Sequence, residues 1–407
     1  MVLLPRRALI LALAAWLAAP PAAALFQKSQ ADLVDAERRF DSEYFLDLLG
    51  FSPPMSWDDA WAGSTAAYRI NGASLDCCDL LLRQELKFSR PLTPGLDFSF
   101  RLVQNGDKDQ IELHHFLELE KTLAGGFAAQ LFGEPTPAKE DADIGVGLAW
   151  SPRSAPGLRL AVRRTWVDFV FNQRGSTSQS YTRKPLTDEA RAQWSGRNDR
   201  AWAALEFDHP LRRAFPDEGR LYFYRRTTAR AGWRRTGNPF GGQAEYAYEF
   251  LREGDLRNPD PGSRSVDHRR QVHSLDLRAD ALLGDKDRLE GGALLLNRAA
   301  RSDFVNQEII GVFYRRWELQ PHLRWFREIS PRWTLELGAL LALGENRRRF
   351  PSGRVPSVFE TTAEAKLDAA AEFRFSSWGR LSLVSNLDLD SPARFWDGGG
   401  VRALFVF

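Results

Sequence analysis

Apolar and polar residues take turns along most of this chain. From Leu96 to Val103, Leu96, Phe98, Phe100 and Leu102 fall on one parity, and Asp97, Ser99 and Arg101 on the other. Side chains alternate across a strand at period 2, so this spacing predicts a strand with one apolar and one polar face. The most regular instance is 359–375. There Phe359, Ala363, Ala365, Leu367, Ala369, Ala371, Phe373 and Phe375 alternate with Glu360, Glu364, Lys366, Asp368, Glu372 and Arg374. A helix of this composition would scatter those charges around its circumference. The same pattern starts at Ala66 and recurs over 80–88, 96–103, 111–119, 123–132, 144–150, 158–171, 201–207, 220–228, 244–251, 272–283, 289–296, 310–326, 333–343, 380–388 and 399–407.

The connections sort into two kinds. Those at 90–95, 151–157, 284–286, 329–331 and 376–379 are short, whereas 135–143, 172–198, 252–269, 344–356 and 388–398 are longer and polar. Up-and-down order puts the short ones at one end of a sheet and the long ones at the other. The segments number about 17, and a closed single-chain bacterial barrel takes an even number. The order runs correctly from 66 to 172 and again from 272 onward, and fails between 198 and 269. The expectation is therefore 16–18 strands. Eighteen is favoured over sixteen, because merging would remove a clear strand.

The beginning of the chain differs. Arg6 and Arg7 precede an apolar run, Ala8–Ala19, with Ala22 and Ala24 at small-x-small spacing. This reads as a signal peptide over 1–24, cleaved before Leu25. In 25–63, Leu33, Ala36, Phe40, Tyr44, Phe45, Leu48 and Leu49 recur at helical spacing, Gly50 is a C-cap, and Pro53-Pro54 prevents continuation. The region is expected to be a periplasmic arm or a plug with a short amphipathic helix. The barrel would then occupy 64–407. Beyond Leu25 no run of about 18 apolar residues predicts a transmembrane helix. Mean hydropathy is −0.38 and 27% of residues are charged, yet 12% are aromatic. An apolar exterior with aromatic girdles around a wet interior reconciles these values. Trp150, Trp166, Trp233, Trp325, Trp333 and Trp378 are placed as interface anchors, or as a sugar-stacking track if they turn inward.

The chain ends Gly-Gly-Val-Arg-Ala-Leu-Phe-Val-Phe, with Val401, Ala403, Phe405 and Phe407 on one face. An exposed aromatic edge invites aggregation in water, whereas a closing strand in lipid pairs with the first. This terminus resembles the assembly signal of Gram-negative outer-membrane β-barrels. With the signal peptide and the strand series, it makes the mature chain look porin-like. The resemblance is to an architecture over 66–407 and implies a closed antiparallel transmembrane β-barrel with a short helical N-terminal arm. It also implies an outer-membrane location, lipopolysaccharide and other outer-membrane lipids as neighbours, and the barrel-assembly machinery as partner. Barrels that export polysaccharide are a weaker analogy of shape, and that version adds a periplasmic export partner.

Net charge is +2, so no global field attracts nucleic acid. Only eight of the 55 basic residues are Lys, a bias with a bland cause in a GC-rich genome. Its functional reading is that rigid guanidinium forks suit anionic or sugar ligands in a pore. The polar faces nominate Arg83, Arg101, Arg159, Arg163, Arg226, Arg278, Arg324, Glu364, Asp368, Glu372, Arg374 and Arg402 as pore-lining candidates. They either pair across strands as structural ion pairs or form opposed rows with a transverse field. Cys77 and Cys78 are adjacent and lack a nearby His cluster, and no metal or cofactor is expected. His114–His115 and His273–Ser274 each point to opposite faces. No Gly-x-Ser-x-Gly, His-Glu-x-x-His or phosphate loop occurs, so no catalytic residue is nominated. Lys139–Asp143 is read as a solvated acidic loop, with a divalent-cation site as its alternative. The expected function is a channel for hydrophilic solutes. The competing class is a non-conducting barrel, either an assembly scaffold or an enzyme.

Overall fold

Alternating strands bury their backbone polar groups from lipid only by closing on themselves, and this chain closes. In the computed structural model the described residues are 52–75, 79–106, 111–135, 142–167, 180–183, 185–215, 219–237, 239–257, 266–304, 312–349, 357–390 and 396–407. The expected signal peptide, the helix over 31–49, Cys77 and Cys78, and most of the acidic loop lie outside them.

Among the described residues one α-helix, α1 (Met55–Gly63), precedes twenty strand segments. These are β1 (Ala66–Leu75), β2 (Asp79–Thr93), β3 (Leu96–Gly106), β4 (Ile111–Thr122), β5 (Phe127–Glu134), β6 (Asp143–Trp150), β7 (Leu158–Trp166), β8 (Ser180–Arg183), β9 (Leu186–Ser195), β10 (Asp199–Asp208), β11 (Leu211–Phe215), β12 (Arg220–Arg235), β13 (Phe240–Arg257), β14 (Val266–Leu282), β15 (Asp287–Phe304), β16 (Val312–Ser330), β17 (Trp333–Arg349), β18 (Val358–Ser376), β19 (Gly379–Asp388) and β20 (Trp396–Val406). Each neighbouring pair is antiparallel, and β20 closes onto β1 with Ala67 opposite Val406 and Leu75 opposite Gly398. Eighteen strands form the wall. Segments β8 and β11 pair with each other, and β11 also pairs with β12 beyond the reach of β10, so they prolong the wall at the long-loop end. Eighteen strands spaced by about 4.8 Å and tilted by about 40° give a wall about 35 Å across between backbones.

The expected strand count and the stretch 172–198 are resolved together. That stretch is not all loop: Leu186–Ser195 is a wall strand, pairing with β7 on one side and β10 on the other. It restores the up-down order, which therefore breaks before residue 198 rather than after it. Its outward residues are Leu186, Asp188, Ala190, Ala192 and Trp194. Two alanines and an aspartate give little hydropathy contrast, which hid the strand. Ala190 and Ala192 alternating with Glu189, Arg191 and Gln193, capped by Trp194, is the signal that could have found it.

Register assigns the faces. On β17, Trp333, Leu337, Leu341 and Leu343 are exposed to the outside, and the next outward residues are Glu345 and Arg347. About ten residues of strand tilted by about 40° rise about 25 Å, the height of a hydrocarbon-facing band. At its short-turn edge, Trp333 packs on Phe373 (4.8 Å between centroids), Phe375 on Phe405 (5.9 Å) and Trp378 on Phe407 (6.5 Å). The C-terminal face thus joins an aromatic girdle. Trp150, Trp166, Trp233, Trp325 and Trp333 all take the outward parity.

Candidate functional site

The inner face is polar and is built from pairs that the register of neighbouring strands brings together. Glu85 on β2 is fully buried and accepts from three arginines on three strands: Arg69 Nη2 at 2.7 Å, Arg83 Nε at 2.7 Å and Arg101 Nη2 at 3.1 Å. On the next wall section, Arg163 forks onto Glu118 at 2.8 and 2.9 Å and donates from Nε to Gln130 Oε1 at 3.0 Å. Gln130 in turn donates to Glu118 and Glu120, and Arg159 also donates to Glu120. Arg226 reaches Glu206 at 2.7 Å and Asp208 at 3.1 Å, and Arg278 reaches Asp276 at 2.9 Å. Most of these arginines are matched by a carboxylate on their own or an adjacent strand, and Arg159 and Arg163 on β7 reach across β6 and β5 to Glu120 and Glu118 on β4. The arrangement is therefore local ladders rather than opposed rows across the lumen.

A chain segment lies inside the barrel at its short-turn end. Its partners come from β12, β15, β16, β18, β20 and β1, an arc of about half the ring, which one short segment reaches only from within. Arg324 and Arg402 donate to the Ser52 carbonyl at 3.0 and 2.7 Å. The Met55 N–H donates to Glu290 (2.9 Å), Trp57 Nε1 to Glu372 (2.9 Å), and Arg234 to the Met55 carbonyl (2.8 Å). Asp58 pairs with Arg69 at 3.2 Å, Asp59 with Arg234 at 2.6 Å, and Arg69 lies 4.5 Å over the Trp61 ring. Helix α1 starts directly after Pro54: the Pro53-Pro54 pair, which the sequence reading takes as a stop, opens a helix, because proline's fixed φ suits a helix start. Pro54, Met55 and Trp57 are buried. Burial pushes the Asp58 carboxyl above the ordinary aspartate range, against the pull of Arg69, Arg278 and Arg234.

This segment makes the lumen asymmetric. Behind it, Arg402 holds Glu336 at 2.5 Å, with Arg324 3.7 Å from Glu336 and 3.8 Å from Asp368. The side chains of Arg324 and Arg402 are 1% exposed, whereas Arg83 is 57%, Arg101 51% and Arg226 38% exposed. All twelve nominated residues take the inner parity. They divide into a sealed group, Arg324, Asp368 and Arg402, and a group open to the interior, Arg83, Arg101, Arg159 and Arg226. Arg163 and Arg278 are mostly covered by their pairs, Glu372 is engaged by Trp57, Glu364 is half-buried and Arg374 is exposed at the short-turn end.

Sequence reasoning missed Arg69, Glu336 and the α1 anchors. Glu336 was findable as the lone charge on the inner parity of β17 between Thr334 and Asn346, where Gly338, Leu340, Ala342 and Gly344 are its companions. Trp150, Trp166, Trp233, Trp325 and Trp333 face outward, the parity of interface anchors and not of an inward stacking track. Inward rings of the open wall include Phe116, Phe132 and Trp202. Arg163 lies 4.8 Å over Phe132. Two glycines make room for such rings: a Cβ on Gly145 would sit 2.3 Å from Phe132, and one on Gly232 would sit 2.2 Å from Trp202.

No family model matches the chain and no curated protein matches it. Among solved structures it is similar to a loop-deletion mutant of OmpT, an outer membrane protein of Vibrio cholerae, at 11% identity over 84% of this chain and 97% of that one, with a TM-score of 0.42. It is similar to a bacterial polysaccharide outer membrane secretin at 12% identity, 84% and 99% coverage and a TM-score of 0.38. A mutant of the Rh. blastica porin gives 9% identity, 84% and 98% coverage and a TM-score of 0.31. At these values the functional question rests on the chain's own residues. Those residues describe a porin-like architecture: a closed antiparallel barrel, apolar without and polar within.

Proposed function

We propose that this barrel sits in an outer membrane as a channel for hydrophilic solutes, with a preference for anionic and sugar-bearing ones. The observation that carries this is the division of the interior. One wall is sealed by α1, while the other presents half-exposed arginines beside inward aromatic rings. At Glu85 three arginines meet one buried carboxylate, so that stretch of the open wall is net positive. Guanidinium planes and aromatic faces suit carboxylated or phosphorylated sugars. An 18-strand wall leaves an aqueous lumen unless it is filled, and α1 narrows it at one end. By the usual arrangement of such barrels, the short turns face the periplasm and the long loops the outside. Export of a polysaccharide, with a periplasmic partner acting at the α1 end, is the finer version of the same reading.

The competing reading is a non-conducting barrel, and α1 is the observation that favours it. Its enzymatic form has one geometric support: His268 Nδ1 lies 2.9 Å from Ser302 Oγ on adjacent strands. His268 is buried at 5% exposure and Ser302 is half-buried, so the imidazole that would act as base is not open to a substrate. The channel is tested in planar bilayers under a salt gradient. Wild-type protein should conduct with a reversal potential on the anion side, and replacing Arg101 and Arg226 by Glu should move it toward cations. An unchanged potential removes both residues from the path, and no current from folded protein removes the channel.

A further inference from the structure

The outer surface carries a feature that solute passage does not use. Arg225, Arg252, Arg269 and Arg301 stand directly opposite one another on β12, β13, β14 and β15. All four take the outward parity. Like charges directly opposed across strands destabilise a sheet, so such a row demands anions. Asp267 takes Arg252 at 3.0 Å and Arg269 at 2.9 Å, and Asp303 takes Arg301 at 2.8 Å. Arg315 and Arg347 continue the patch, opposite each other on β16 and β17, and Arg347 pairs with Glu345. Six arginines thus meet three carboxylates. Among the described residues no carboxylate pairs with Arg225 or Arg315.

Position identifies what surrounds the row. On β15 the outward face runs from Leu289 through Leu295 before reaching Arg301. About a dozen residues of tilted strand rise about 30 Å, so the arginines stand where the hydrocarbon belt gives way to head groups. Four of them lie over phenylalanine rings of a neighbouring strand: Arg225 over Phe207 (5.3 Å), Arg252 over Phe223 (5.3 Å), Arg301 over Phe313 (4.8 Å) and Arg347 over Phe359 (5.0 Å). Each pair lays a guanidinium on an apolar ring near its own level of the wall, a combination of charge and apolar body that suits a lipid interface. A groove of about 700 Å³, lined by Phe223, Arg225, Arg252, Arg301, Phe313 and Arg315 among others, crosses the patch.

We propose that this groove binds the phosphate groups of a phosphorylated glycolipid in the outer leaflet, its acyl chains covering the apolar belt below. The inference rests on the membrane orientation given above. Arginine forks pair with phosphate through parallel N–H···O bonds, and the unpaired Arg225 and Arg315 supply the charge that the three carboxylates leave uncompensated.

The test uses full-length mature protein inserted in phosphatidylcholine vesicles containing diphosphoryl lipid A, or lipid A enzymatically stripped of phosphate, and reads bound lipid by native mass spectrometry after detergent release. Diphosphoryl lipid A should be retained in preference to the stripped form, with and without a chelator, because the contact is direct. The variant R225Q/R315Q leaves no carboxylate without its partner, and its folding is checked by heat-modifiable migration on a gel. It should retain diphosphoryl lipid A roughly tenfold less, the loss expected for one or two charge-assisted contacts. Equal retention of the two lipids, retention abolished by the chelator, or an unchanged R225Q/R315Q would overturn the proposal. Failure to insert into vesicles at all would instead overturn the membrane reading on which it rests.

Discussion

Replacing Trp57 by Ala should release α1 from the barrel and raise the current. Trp57 is buried at 3% exposure and donates to Glu372 at 2.9 Å. Truncating a buried tryptophan costs about 3–5 kcal/mol. Loss of a hydrogen bond to a charged acceptor is worth about 1.5–3 kcal/mol, and is part of that total rather than additional to it. A loss of about 4 kcal/mol shifts the balance between docked and undocked α1 by roughly three orders of magnitude. Single-channel recording in planar bilayers reads the result: W57A should show larger or longer openings than wild type, approaching a protein lacking residues 25–62. W57F separates the contributions, since it keeps most of the packing and loses only the bond to Glu372. Its effect should be intermediate. If W57A, W57F and wild type carry the same current while the truncated protein carries more, Trp57 does not hold the segment. If all four are alike, α1 does not narrow the path.

Two further outcomes follow from the interior charges. E85Q leaves three arginines around a neutral amide, and removing one partner of a buried ion pair costs about 3–5 kcal/mol. It should lower the temperature of heat-modifiable unfolding on a gel and shift the reversal potential further toward anions; a shift toward cations would contradict the assigned geometry. The second concerns Asp58, whose carboxyl is held above its ordinary range by burial. A docked state with a raised carboxyl pKa takes up a proton, so docking strengthens as pH falls toward the ordinary value of about 4 and weakens as pH rises through the raised one. Current should therefore increase with pH across that window, and D58N should flatten the dependence; a D58N protein with the wild-type slope would assign the titration elsewhere.

The outer face was legible because lipid contact imposes a uniform demand. Every outward position from Trp333 to Leu343 on β17 is apolar, and period 2 exposes that without any knowledge of neighbours. Strand β9 escaped because its outward positions hold Ala190, Ala192 and Asp188, small or charged residues that the register with β7 and β10 tolerates. The interior was legible only as a list of inward side chains. Which of them face solvent depends on register and closure: Glu85 gathers Arg69, Arg83 and Arg101 from three strands, and Arg324 and Arg402 meet Ser52 only because β16 and β20 curve around the same lumen. Segment 52–63 was expected as arm or plug with its helix before Gly50. The helix that anchors it begins after Pro54, where the proline pair reads in the sequence as a stop. The outward arginine row was invisible for the opposite reason. On any single strand it is one polar residue beyond the apolar run, and only cross-strand register aligns Arg225, Arg252, Arg269 and Arg301.

Oil outside and water inside is the claim on which the rest stands, and spin labels placed one at a time from Asp97 to Leu102 on β3 test it most directly. In vesicles, collision with oxygen should peak at Phe98, Phe100 and Leu102, and collision with a water-soluble nickel chelate at Asp97, Ser99 and Arg101. The two profiles should run out of phase at period 2. Profiles in phase, or with no alternation, would mean that β3 does not separate lipid from an aqueous lumen.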